Sequence, residues 1–178
     1  MQATVDITRA QSIIGWMSDR ELMWLASLAQ KYQYIVEFGS FHGRSTRALA
    51  DNLRADGKLW AVDTWNGEKI GMVNTYSMPL FKRNLKDHID SGKVIPCRQF
   101  SYLFKPPHLV DVVFIDSDHH KEYVERDIKN AISILKSSGM LCGHDYGGDA
   151  GWPDVKEVVD EKFGKVGVED TIWFTQKY

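Results

Sequence analysis

Five short apolar runs, each ending in polar or glycine residues, constrain this chain more than any other feature. They are Tyr34–Phe38, Leu59–Asp63, Lys93–Cys97, Asp111–Asp116 and Met140–His144. Runs this short, rich in β-branched and aromatic residues, read as strands buried on both faces, the situation of a parallel sheet. Pro96 cannot donate to a ladder, so the third run is expected at a sheet edge or strand end. Helical spacing fills the gaps, at about Asp19 to Lys31, Ser45 to Leu53, Leu80 to Ile89 and Tyr123 to Leu135. Strand and helix therefore alternate, which predicts a mainly parallel sheet with helices on both faces. The tail differs. A helix around Asp154–Phe163 precedes Val166–Val168 and Thr171–Thr175, and these last runs read as an antiparallel hairpin at one end of the sheet. The expected fold is doubly wound α/β with seven strands, and ligands should sit beyond the carboxyl ends of the strands.

The 178 residues suit one domain, spanning 1–178, with an N-terminal helical segment (1–31) ahead of the α/β core (32–178). A net charge of −2 argues against a broad basic face for nucleic acid. No apolar run approaches the ~20 residues of a membrane span, and MQATVDITRAQ at the start lacks a signal-peptide pattern. Cys97 and Cys142 make no disulfide framework and read as core residues. A reducing compartment, the cytoplasm, is the expected location.

The strand ends carry the chemistry. The first strand runs through Glu37-Phe-Gly-Ser-Phe-His-Gly-Arg-Ser45 into a helix. Gly39 and Gly43 permit a tight turn and close approach of a ligand to the helix N-terminus. A dinucleotide fingerprint would need glycines where Phe41 and Arg44 stand, and a phosphate loop would need one more residue and a lysine. Glu37 adds negative charge where phosphates would lie. The turn better suits a ligand carrying both a cation and a carboxylate, although a plain strand–helix turn remains open at this point. Asp63 ends the second strand, where a carboxylate can accept both hydroxyls of a ribose. The third strand ends near Arg98-Gln-Phe-Ser101, where an adenine edge would lie. Asp116, Asp118, His144 and Asp145 end the fourth and fifth strands and offer ligands for a divalent cation, or a base. Asp118 has a second reading as the N-cap of the following helix.

These blocks resemble class I S-adenosylmethionine-dependent methyltransferases, and more narrowly the methyltransferase domain 24 family, related to metal-assisted sugar and antibiotic O-methyltransferases. Val36–Thr46, Val62–Trp65, Phe114–His119 and Leu141–Tyr146 carry the likeness, which spans about Tyr34 to Tyr146. The resemblance implies a Rossmann-like sheet and an S-adenosylmethionine site. Glu37, Gly39 and Gly43 would hold the methionine part and Asp63 the ribose. Ser40, Ser45, Thr64, Trp65, Phe100, Ser101 and Asp116 complete the implied cofactor set. Asp116, His144 and Asp145 fall where relatives hold a divalent metal, with Mg2+ the first choice. Asp118, His119 and His144 are the implied catalytic groups, Asp118 as general base. Lys121, Ser137-Ser138-Gly139 and His144 depart from the usual family pattern.

The implied reaction is transfer of a methyl group to a small hydroxylated acceptor, a sugar or other metabolite, with neither nucleic acid nor membrane as partner. Two rivals remain at this stage. Asp116-Ser-Asp118 matches the Asp-x-Asp motif of nucleotide-sugar glycosyltransferases, and a non-catalytic S-adenosylmethionine-binding protein would share the same blocks. Acceptor choice is expected from the N-terminal helix, the long Trp65–Pro79 connection with Trp65, Met72, Tyr76 and Met78, the Gly147–Trp152 rim, or a partner subunit in a homo-oligomer. Trp16, Trp24, Trp60 and Trp173 read as packing residues.

Overall fold

A computed structural model describes residues 4–66, 68–70, 73–75, 77–147 and 152–175. The N-terminal segment holds a short helix α1 (Thr8–Gln11) and α2 (Asp19–Ala29). Ser18 and Glu21 close a reciprocal capping box that starts α2 at the expected residue. There follow β1 (Tyr34–Phe38), α3 (Arg44–Asn52), β2 (Lys58–Asp63), a small hairpin β3 (Glu68–Ile70) and β4 (Val73–Thr75), then α4 (Met78–Asn84) and α5 (Lys86–Asp90). The second half comprises β5 (Val94–Arg98), β6 (Val110–Ile115), α6 (Lys121–Ile134), β7 (Leu135–Gly143), α7 (Pro153–Phe163), β8 (Gly167–Glu169) and β9 (Ile172–Phe174).

The main sheet has seven strands in the order β5-β2-β1-β6-β7-β9-β8. Its first five strands are parallel, β9 runs antiparallel to β7, and β8 antiparallel to β9. The five runs are the five parallel strands, and the tail is the expected hairpin. Pro96 sits in β5 at the sheet edge, where a missing N–H leaves no interior ladder broken. From β1 the chain works outward through β2 to β5, then returns to place β6 on the other side of β1. The order therefore reverses between β1 and β6, and a crevice opens there at the carboxyl ends.

Alternation along each strand divides the core into two layers. Ile35, Leu59, Ala61, Val112 and Phe114 pack against Leu22 and Leu25 of α2, Ala48 and Leu49 of α3, and Phe81 of α4. Val36, Phe38, Trp60, Val62 and Val113 pack on the opposite face against Val124, Ile128 and Ala131 of α6 and Val155 and Val159 of α7. Trp60 and Trp173 are core residues as expected, and Trp24 packs its ring on Phe174.

Some expectations shift. The Leu80–Ile89 helix breaks at Leu85 (φ −109°, ψ 12°) into α4 and α5. The fifth strand begins earlier, so Ser137-Ser138-Gly139 lies within β7. The Trp65–Pro79 connection contains the β3–β4 hairpin. Met72 and Tyr76 lie outside the described residues, as do positions 148–151 of the glycine-rich rim. Met78 packs against the core.

Register decides where the chemistry converges. Phe38 pairs with Val62 on one side and Ile115 on the other, and Ile115 pairs with Gly143. The ladder continues one residue further: Gly39 N–H donates to Val62 O (2.9 Å), Asp116 N–H to Phe38 O (2.7 Å) and His144 N–H to Ile115 O (2.9 Å). Asp63, Gly39, Asp116 and His144 thus form one row across four strand ends. Gly39 has φ +83°, and a Cβ there would fall 1.9 Å from the Asp116 carbonyl oxygen. Gly39→Ala is expected to lower stability by about 2–4 kcal/mol in denaturant unfolding, from left-handed strain plus overpacking against backbone that cannot swing away.

Candidate active site

Two clefts flank Gly39. The larger, of about 450 Å3, is floored by Ser40, Ser45, Asp116, His144 and Asp145, with His119 at its side. The smaller, of about 220 Å3, is lined by Asp63, Thr64, Phe100, Ser101, Asp118 and Asp127. Gly39 borders both, so one elongated ligand can occupy the two clefts by crossing the notch its missing side chain leaves.

Asp63 is held by the turn it faces. Its Oδ2 accepts from the Ser40 (2.9 Å) and Phe41 (2.8 Å) amides, and its Oδ1 from the Trp65 amide (2.6 Å). The carboxylate thereby shapes the glycine turn and keeps one edge toward the smaller cleft. Glu37 lies beneath the turn, fully buried. Its Oε2 accepts from Ser40 Oγ (2.6 Å) and Thr46 Oγ1, while Oε1 has no partner among the described residues. Burial pushes this carboxyl up to about 7 against the pull of the hydroxyls around it, and the Asp116 charge adds to the rise.

Across the row, His144 is enclosed by carboxylates. Its Nε2 lies 3.1 Å from Glu21 Oε1, and its Nδ1 3.4 Å from Asp116 Oδ1 and 3.2 Å from Asp145 Oδ2. Burial pulls His144 down, but bonds to Asp116, Asp145 and Glu21 outweigh it and hold the imidazolium well above its ordinary range. Asp145 adopts φ +63° and is held well below the usual carboxylate range; burial opposes this, but His119 and His144 prevail. His119 Nε2 stands 2.6 Å from Asp145 Oδ2, and its ring stacks on Trp152 with centroids 4.4 Å apart. One ligand atom from each of Asp116, His144 and Asp145 falls within 4.8 Å of the others. Two carboxylates and one imidazole at that spacing fit a divalent cation, with Nε2 anchored on Glu21 and Nδ1 turned inward.

The methyltransferase domain family model matches residues 36–146. The chain belongs to that family. It is a class I S-adenosylmethionine-dependent methyltransferase domain by sequence blocks and by sheet order. Among solved structures, the O-methyltransferase TomG from Streptomyces achromogenes, involved in tomaymycin synthesis and in complex with S-adenosylmethionine, superposes with a TM-score of 0.65. It shares 19% identity, over 89% of this chain and 79% of TomG. An O-methyltransferase from Bacillus cereus in complex with S-adenosylhomocysteine gives 0.66 at 15% identity, over 94% and 84%. CalS11, a TDP-rhamnose 3'-O-methyltransferase of calicheamicin biosynthesis, gives 0.66 at 13%, over 87% and 78%. At these identities the likeness is one of fold. No curated protein sequence matches the chain significantly.

Within this methyltransferase domain the residues singled out from sequence separate into three groups. Gly39, Ser40, Ser45, Asp116, His119, His144 and Asp145 border the larger cleft; Asp63, Thr64, Phe100, Ser101 and Asp118 border the smaller. Glu37, Gly43 and Trp65 border neither. A Cβ on Gly43 (φ +89°) would strike Leu85 and Phe81, so helix packing rather than a ligand requires that glycine. Trp65 is buried against Phe81 and donates from Nε1 to Phe41 O (2.9 Å), which removes it as an acceptor-pocket wall. Asp118 is corrected as a helix cap. Its Oδ1 accepts from the His120 amide (2.9 Å) and meets His120 Nδ1 (2.6 Å), and His120 holds the N-cap position of α6. The carboxylate borders the smaller cleft and, against burial, its charge adds to the rise of His119. The Lys121 amide instead donates to Asp154 Oδ2 (3.0 Å). Asp116 and Asp118 border different clefts, and the family match turns the reading away from a glycosyltransferase.

Three contributors escaped sequence reasoning. Glu21 is the capping-box acid of α2, a role that hides its contact with His144. Asp127 sits mid-helix in α6 and accepts from Ser101 Oγ (2.6 Å) and from Ser117 Oγ, bracing the smaller cleft. Trp16, read as packing, is 70% exposed and borders the larger cleft.

Between its ordinary value near 4.5 and about 7, the folded chain holds a proton on Glu37 that the unfolded chain releases. That group's contribution to stability falls as pH rises through this window, by about 3 kcal/mol in all at roughly 1.4 kcal/mol per pKa unit. Glu37→Gln is expected to be stabilised relative to the parent chain at pH 8 and nearly neutral at pH 5. Denaturant unfolding at both pH values measures this, and an equal difference at each would refute it.

Proposed function

We propose that this domain transfers a methyl group from S-adenosylmethionine to an oxygen of a small hydroxylated acceptor, a sugar or another metabolite. The observation that carries the reading is the pair of clefts joined at the Gly39 notch, one bordered by Asp63 and the other by the Asp116–His144–Asp145 cluster. S-adenosylmethionine supplies an already activated methyl on a sulfonium, so the protein's main task is to hold an oxygen close and in line with it. In this reading the smaller cleft takes the nucleoside, with Asp63 toward the ribose and Phe100 and Ser101 toward the base. The unpartnered Glu37 Oε1 suits the methionine ammonium, whose positive charge would favour the ionised carboxylate and release the Glu37 proton to solvent. The Asp145–His119 pair, bordering the larger cleft, takes the hydroxyl proton in place of Asp118, which borders the smaller one.

A divalent cation belongs to the proposal through Asp116, His144 and Asp145, where it would supply acidity to the acceptor hydroxyl. An imidazole donor suits Mn2+ or a similar ion better than Mg2+, which prefers oxygen throughout. A small acceptor fits the charge of −2 and the lack of a broad basic face.

Calorimetry with S-adenosylhomocysteine tests the cofactor. Binding is expected, weakened at least about tenfold by Asp63→Ala, the loss of roughly 1.4 kcal/mol. Affinity should also fall as pH drops below about 7 in the parent chain but not in Glu37→Gln. Absence of binding by the parent chain would overturn the reading. For the cation, chelation and Asp145→Ala should each lower turnover, and unchanged turnover in both would remove the metal from it.

A further inference from the structure

The segment between α1 and α2 borders the larger cleft without belonging to the sheet. Burial alternates along it: Ile13 and Met17 are 7% and 5% exposed, whereas Ile14 and Trp16 are 72% and 70% exposed. Alternate residues thus anchor this strap in the core, while Ile14 and Trp16 stand at the cleft. Arg44 satisfies two of the strap's carbonyls and the last one of α1. From the first turn of α3, Arg44 Nε donates to Met17 O (3.0 Å), and Nη1 to Gln11 O (3.0 Å) and Ile13 O (2.8 Å). Gly15 passes so close that a Cβ would lie 3.0 Å from the Arg44 stem. A guanidinium holds several acceptors at fixed angles, which an ammonium does not.

We propose that Arg44 is a positioning residue for the acceptor: it fixes the Ser12–Met17 strap so that Trp16 walls the larger cleft, and the acceptor selected is one carrying a ring with an apolar face. Trp16 is backed by Phe41, ring centroids 5.3 Å apart, and Trp152 borders the same cleft from the start of α7. Indole walls above a carboxylate and imidazole floor suit a carbohydrate or aromatic ring that offers a face to the indoles and hydroxyls to the floor. An acyclic diol satisfies the floor but leaves the walls unused. Arg44 directs Nε and Nη1 to backbone carbonyls and turns Nη2 toward Asp19 (3.8 Å), so its donors are committed to holding the strap.

The inference rests on the methyl-transfer reading, and the test separates the two. S-adenosylhomocysteine affinity is measured by calorimetry for the parent chain, Arg44→Ala, Arg44→Lys and Trp16→Ala. With S-adenosylhomocysteine saturating, catechol and methyl α-L-rhamnoside are compared with 1,2-propanediol by saturation-transfer NMR and tryptophan fluorescence. At least one ring probe is expected to bind the parent chain about tenfold more tightly than the diol. That preference should fall about tenfold in Trp16→Ala and Arg44→Ala, the scale of one aromatic contact with its buried area. S-adenosylhomocysteine affinity should stay within about twofold, because Trp16 and Arg44 border the larger cleft and not the smaller one assigned to the nucleoside. Added methylguanidinium should restore ring binding to Arg44→Ala, an effect general destabilisation would not produce. Equal binding of rings and diol by the parent chain, unchanged ring binding in either variant, or loss of S-adenosylhomocysteine binding in Arg44→Ala alone would overturn the inference. A parent chain that binds no S-adenosylhomocysteine would overturn the methyl-transfer reading beneath it.

Discussion

The structure turns on how closely β1 and β6 approach at their carboxyl ends. Asp116 N–H donates to Phe38 O at 2.7 Å, and the Asp116 carbonyl then fills the space any Cβ at Gly39 would need. A parallel ladder fixes strand separation at about 4.8 Å, so every residue just past the strand ends is aligned by the same spacing. The functional row Asp63–Gly39–Asp116–His144 is a direct result. A side chain in its second position would close the notch between the clefts and push the strands apart.

That row gathers negative charge, and the fold has to offset it. Asp63 accepts from three backbone amides, two from the turn and one from Trp65. Glu37, denied such help by burial, keeps its proton up to about pH 7. Asp116 and Asp145 share His144, whose far nitrogen rests on Glu21 from outside the sheet. A carboxylate removed from water without amides, a proton or a cation is costly, and each solution here differs because each strand end offers different neighbours. The same arrangement leaves one buried oxygen on Glu37 without a partner among the described residues, while both nitrogens of His144 face carboxylates.

Much of this was legible beforehand. The apolar runs, Pro96 at an edge and the terminal hairpin follow from local composition, because a doubly buried strand must be continuously apolar and proline cannot pair inside a sheet. The Glu37–Ser45 turn, Asp63 and the Asp116/His144/Asp145 cluster follow from where those strands end. Local signals failed where one residue serves two purposes. Glu21 is a good helix cap, so nothing in its neighbourhood marks it as the partner of His144, 123 positions away. Gly43 resembles a ligand-facing glycine, yet Leu85 and Phe81 of later helices require it. Trp65 and Trp16 exchanged their expected roles, because aromatic character alone does not say which face of a turn is covered.

The sequence by itself determined the α/β class, the order of elements and the residue types available at each strand end, since these depend on patterns a few residues long. Only the tertiary structure decided which of them meet. The β6–β7 register placed Asp116 beside His144, the two-residue Asx contact with His120 holds Asp118 at the other cleft, and Arg44 tied a distant strap to the rim of the larger one. Those outcomes depend on contacts between segments tens of residues apart, whose geometry is set by sheet register and helix packing rather than by the local chain.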